Sequence, residues 1–163
     1  MRRTSLLVVT TWLQLFAQTA SDIPENLKPP AGEKLAMKLH ASGSQIYACD
    51  GTQWTLTAPD AKLFDDAGKQ VGSHFAGPTW QSSDGSRVVG KAAANATVDP
   101  QSIPWLLVSA VDHSGQGAMS GVTSIQRVHT HGGKAPASGC DAAHKGEKAS
   151  VAYTADYYFY SKN

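Results

Sequence analysis

Apolar and polar positions along the chain fall in short runs broken by glycine, proline and aspartate, with no long helical stripe. Gln45 to Cys49 reads as a strand, Asp50-Gly51 as a turn, and Thr52 to Leu56 as the strand resuming. In that second run Trp54 and Leu56 share one face and Gln53 and Thr55 the other, the period of two of a half-buried strand. Ala61 to Phe64, Lys69 to Phe75, Pro78 to Gln81 and Ser86 to Gly90 are further strand candidates, with turns at Asp65-Asp66-Ala67-Gly68 and Asp84-Gly85. Ala92-Ala93-Ala94 favours a helix locally, but Gly90 and Pro100 bracket it closely. Trp105 to Val111 is the most apolar run, and its length suits a central strand. Val122 to Thr130 alternates, and Val151 to Tyr160 is aromatic and β-prone. Eight or nine strands at intervals of ~8–12 residues predict an all-β chain, a single-domain β-sandwich or a closed β-barrel.

Two segments precede that pattern. Arg2-Arg3, an apolar run from Leu6 to Leu15 and small residues at Ala17, Thr19 and Ala20 have the order of a signal peptide, expected over residues 1–20. Cleavage after Ala20 is the first choice and after Ala17 the alternative. The run is too short for a membrane-spanning helix, which needs ~20 apolar residues. Residues 21–34 hold three prolines and no apolar period, which predicts an extended arm. The β domain is then expected over 35–163, with the protein exported to the periplasm or the extracellular space.

Composition narrows the function classes. The chain has 163 residues, 17% charged, and a net charge of +1. Without Arg2 and Arg3 the count becomes 12 basic to 13 acidic, or −1. Such a balance gives no footprint for nucleic acid or an anionic membrane. The expected partner is a small molecule, a glycan or a protein, without membrane insertion of the mature chain. Cys49 and Cys140 are the only cysteines, and export predicts that they pair as a disulfide.

Candidate chemistry is sparse. His129-x-His131 has the spacing that lets two rings on one strand face reach one metal, with a third ligand such as His74 or Asp84 still needed. Residues 72–86 concentrate His74, Trp80, Asp84 and Ser86, but no Gly-x-Ser-x-Gly elbow occurs, and a turn explains Asp84-Gly85. Only three glutamates exist, two of them in the arm, so a paired-carboxylate glycosidase is not expected. No phosphate-cradling loop or dinucleotide fingerprint occurs, so no cofactor is expected. Trp54, Trp80, Trp105 and the tyrosines from 153 to 160 are either a ligand platform or core and rim residues. Arg87 and Arg127, the two arginines outside the leader, are expected to pair with Asp84 or Asp156, an anion being the alternative.

Five motifs in order carry a resemblance. They are Gln45-Ile46-Tyr47-Ala48-Cys49 with Trp54; Gly72 to Trp80 with Asp84-Gly85-Ser86; Ile103 to Leu107; Ile125 to Gly133 with Pro136 and Cys140; and Tyr153 to Tyr160. Together they resemble a family of exported bacterial and fungal proteins of unknown function, across nearly all of residues 24–160. The resemblance implies that His74, Trp80, Asp84, Trp105 and Arg127 belong to recurring motifs, whereas His129 and His131 do not. Some fungal members carry a malate dehydrogenase label, which the missing fingerprint and the leader sequence argue against. The resulting expectation is a non-catalytic exported binding or structural module, whose ligand-facing candidates are His74, Trp80, Asp84, Trp105 and Arg127. The alternative is a small exported hydrolase or metal-binding protein using His74 with Asp84, or His129 with His131.

Overall fold

The computed structural model describes residues 23–162; the expected leader lies outside them. Eight antiparallel strands form one sheet that closes on itself in chain order. They are β1 (Glu33–Cys49), β2 (Trp54–Phe64), β3 (Gln70–Phe75), β4 (Thr79–Ser82), β5 (Arg87–Ala96), β6 (Trp105–Ser114), β7 (Val122–Gly132) and β8 (Lys148–Lys162). The architecture is therefore the closed barrel of the two expected alternatives. Closure comes from β1 and β8, the longest strands, which pair antiparallel from Glu33↔Lys162 to Ala48↔Lys148. Closure leaves no open sheet edge.

Alternation sorts the side chains. Leu39, Ala41, Leu63, Trp80, Val88, Val108, Ile125, Tyr157 and Phe159 are buried together and fill the interior. The interior is thus a packed core rather than a roomy lumen. Gly90 makes this packing possible. A Cβ there would lie 2.3 Å from Val108 Cγ1 and 2.9 Å from the Trp80 ring, so the missing side chain is the room that the indole fills.

A second, smaller cluster sits outside the barrel. A short 3-10 turn, Glu25–Leu27, lays Leu27 against Trp105 and Val128, with Tyr158 and Leu107 around them. Gln126 Nε2 donates to the Leu27 carbonyl at 2.6 Å, fastening the turn to β7. This cover buries positions of β7 on both faces, which a strict period of two does not foresee. Ala92–Ala94 lies inside β5, because pairing with β6 outweighs the local helical preference of alanine. Leu56, expected to share a buried face with Trp54, is 56% exposed. The start of β2 overhangs the barrel end, and Trp54 instead donates its indole N–H to the Ser138 carbonyl at 2.9 Å.

The two ends of the barrel are fastened differently. At one end Cys49 and Cys140 form a disulfide, tying the end of β1 to the loop before β8. At the other, Asp84 clasps the β4–β5 turn to the β6–β7 loop.

Candidate functional site

Three of the five ligand-facing candidates converge inside the barrel. His74 on β3 and Trp80 on β4 are cross-strand partners, and their rings stack 4.3 Å apart at 10°. Tyr157 of β8 meets both edge-on, at 5.2 and 5.5 Å. Arg127 of β7 reaches the same place, because Leu106, Arg127 and Tyr157 stand side by side on adjacent strands. These residues wall a cavity of about 50 Å³, which Ala92 and Leu106 also line.

His74 is 3% exposed, and its Nδ1 pairs with the Thr79 carbonyl at 2.9 Å, which makes Nδ1 the protonated nitrogen. Burial pushes its pKa down to about 3, against the pull of the Thr79 carbonyl and with help from the Arg127 charge. The ring is neutral at physiological pH and works as a packing plate with one polar anchor. Burial likewise raises the Tyr157 hydroxyl, with Arg127 opposing it. Trp80 Nε1 and both amide atoms of Gln45 are buried without a hydrogen-bond partner.

Asp84 and Trp105 lie elsewhere. Asp84 Oδ1 accepts from Ser86 N at 2.8 Å and Ser86 Oγ at 2.6 Å, and Oδ2 accepts from Ala118 N at 2.9 Å. These donors, Ala118 first, hold its carboxyl down to about 2. Gly117 leaves room for that contact: a Cβ there would sit 2.3 Å from Asp84 Oδ2. His74 and Asp84 therefore share no hydrogen bond, and each is satisfied locally. Trp105 faces outward beneath Leu27 and edge-on to His129.

The expected pairing of the arginines also fails. Among the described residues no carboxylate lies within 4.0 Å of Arg87 or Arg127. Asp84 is engaged by backbone and serine, and Asp156 by histidines. Arg127 directs Nε and Nη2 at the Pro104 carbonyl, at 3.2 and 2.8 Å.

A second grouping, on the outer face, brings the His129-x-His131 pair together with His40 and Asp156. Asp156 of β8 accepts from His40 Nδ1 at 2.6 Å and from His129 Nδ1 at 2.8 Å, one carboxylate oxygen each. His40 Nε2 reaches Asp66 at 3.0 Å. His129 has φ +50°, the one non-glycine residue in the left-handed region among those described, at a bulge between Val128 and His131. That conformation is open to histidine more than to most side chains. The bulge turns β7 so that His129 and His131 both line an open groove of about 380 Å³ with His40, Ser42, Phe64 and Asp156. A second open groove, of about 370 Å³, shares Ser42, His131 and Thr154 with the first. Both nominated third metal ligands lie elsewhere, His74 inside the barrel and Asp84 at the turn. Among the described residues no group of three or more His, Cys, Asp or Glu side chains is placed to hold a metal ion.

His40 was missed and Asp156 was read only as an arginine partner, because the two are 116 residues apart and meet only through barrel closure. The usable signal was indirect: in an antiparallel pairing of first and last strands, His40 falls opposite Asp156.

Fold and site together define a closed eight-stranded barrel with a packed interior, one disulfide and an outer groove rich in histidine. Residues 30–161 match the family model described as "Protein of unknown function (DUF3455)", and the chain belongs to that family. Comparison with curated proteins and with solved structures finds no match. Among the described residues no helix is long and apolar enough to cross a membrane.

Proposed function

We propose that this protein is an exported, non-catalytic binding module that takes its ligand in the outer groove over β1, β7 and β8. The observation that carries the reading is the groove itself. It gathers convergent polar groups, His40, His129, His131 and Asp156, beside the Phe64 ring. The interior cavity among the described residues, about 50 Å³, is by contrast too small for a sugar. The ordered leader pattern and the disulfide support export. The ligand class is a small polar molecule, a glycan or a protein side chain able to hydrogen-bond imidazole.

Thermal-shift screening against sugars and small acids tests this, because a ligand of the native state raises apparent stability by mass action. A true groove ligand raises the melting temperature of the wild type, and H131A abolishes that response. A ligand whose effect survives H131A and D156N overturns the assignment to the groove.

A hydrolytic second reading rests on His129, whose Nδ1 is oriented by Asp156 at 2.8 Å in the manner of a general base. Turnover of model esters that disappears in H129A would favour it over the binding module.

A further inference from the structure

Arg127 is the least settled charged group inside the barrel. It is half-buried, and a partly desolvated guanidinium without a counter-charge is disfavoured, so proteins often give it a carboxylate. Here there is none within ion-pair distance among the described residues, and one backbone carbonyl serves both bonded nitrogens. These two contacts and a further one toward the Tyr157 hydroxyl leave part of the five-donor guanidinium fork unengaged.

The surroundings are rich in donors. Trp80 lines the same cavity, is 2% exposed, and its indole N–H has no acceptor. Tyr157 contributes a fully buried phenol, bonded at 3.4 Å to the Tyr153 hydroxyl. The Arg127 charge is felt by Tyr47, His74, Tyr153 and Tyr157 alike, so the positive potential extends through this part of the interior.

We infer that the cavity between His74, Trp80, Arg127 and Tyr157 is a binding site for a small monovalent anion, a halide or a planar oxyanion the size of nitrate or formate. The size argument is direct. The cavity is about 50 Å³, a few times the ~10–15 Å³ that one water needs on the same measure, so a few heavy atoms fit and a sugar does not. The charge argument is equally direct. One negative charge neutralises Arg127, and a planar oxyanion matches the guanidinium fork. Access is built in: Arg127 and Leu106 are half-buried and Ala92 is exposed, so the cavity opens on that side. The site is separate from the outer groove, and neither proposal depends on the other.

The test uses the full mature chain in sodium nitrate, formate or bromide, against sodium gluconate at matched ionic strength. A saturable rise in melting temperature with the small anions and none with gluconate is expected. R127Q should raise the half-saturating concentration at least tenfold, whereas R87Q, at the exposed second arginine, should leave it unchanged. An identical response in both variants, or no advantage over gluconate, overturns the proposal. Should R127Q fail to fold, anomalous diffraction from wild-type crystals grown in bromide decides. A bromide peak beside Arg127 is expected, and a water or an empty cavity there refutes the site.

Discussion

The protein places histidine in two opposite environments a few strands apart. Inside, His74 is stacked on Trp80, bonded to one carbonyl and kept neutral by burial. Outside, His40 and His129 are partly exposed and share the Asp156 carboxylate. The difference shows that residue type alone assigns no role. An imidazole facing apolar surface becomes a flat packing element, and one facing a carboxylate at a wet groove becomes an oriented polar group. The recurring motifs pointed to the inner histidine and the His129-x-His131 spacing to the outer ones, and the accessible chemistry collected around the outer ones.

The contrast can be put to the test by substitution. The largest effect is expected from removing the disulfide, since both environments depend on β1 and β8 keeping their register. C49S with C140S should lower stability by roughly 4–5 kcal/mol on the chain-entropy model, for a separation of 91 residues. Urea melts with and without reductant measure it.

Next comes the inner cluster. W80A empties the space beside Gly90 and leaves His74 without its stacking partner, at about 3–5 kcal/mol. Equilibrium unfolding of the variant provides the number.

Acid should act on the inner histidine through linkage. The native His74 pKa is about 3, below the unfolded value of 6.5, so between them the unfolded chain binds a proton that the native state refuses. Its contribution is fully present above the unfolded pKa and is lost as pH falls towards the native one, at up to about 1.4 kcal/mol per pH unit. The difference in stability between wild type and H74Q, followed from pH 7 to pH 4, should narrow by that slope. A pH-independent difference would show that His74 titrates in the native state as it does in the unfolded chain.

The smallest effect belongs to the outer cluster. D156N leaves His129 without its charged acceptor and His40 with only Asp66, yet the groove is open to water, so a loss of ~1 kcal/mol or less is expected. If D156N cost as much as W80A in the same melts, the contrast between inner and outer clusters would fail.

Much of the fold was legible in the chain. Turn residues at Asp50-Gly51, Asp65 to Gly68 and Asp84-Gly85 mark three of the connections, and the two cysteines pair as their number implied. Alternation in β8 separates Tyr153, Tyr157 and Phe159 from Asp156, Tyr158 and Tyr160. It does not say which set faces the core. Trp105 illustrates the problem: a large apolar residue in the most apolar run lies outside the barrel, because the Leu27 turn supplies a second apolar surface. Asp84 illustrates the reverse, a motif aspartate whose position at the turn explains its bonds fully.

The all-β class, the main turns and the disulfide were readable from the chain alone, because they depend on near neighbours or on a residue count, whereas the full length of β1, from Glu33, was not. That the sheet closes, that His40 meets Asp156 and that Arg127 meets no acid came from the tertiary structure. Those facts depend on which distant strands pair and at what register. Register is chosen by packing of the whole interior, which no local pattern contains.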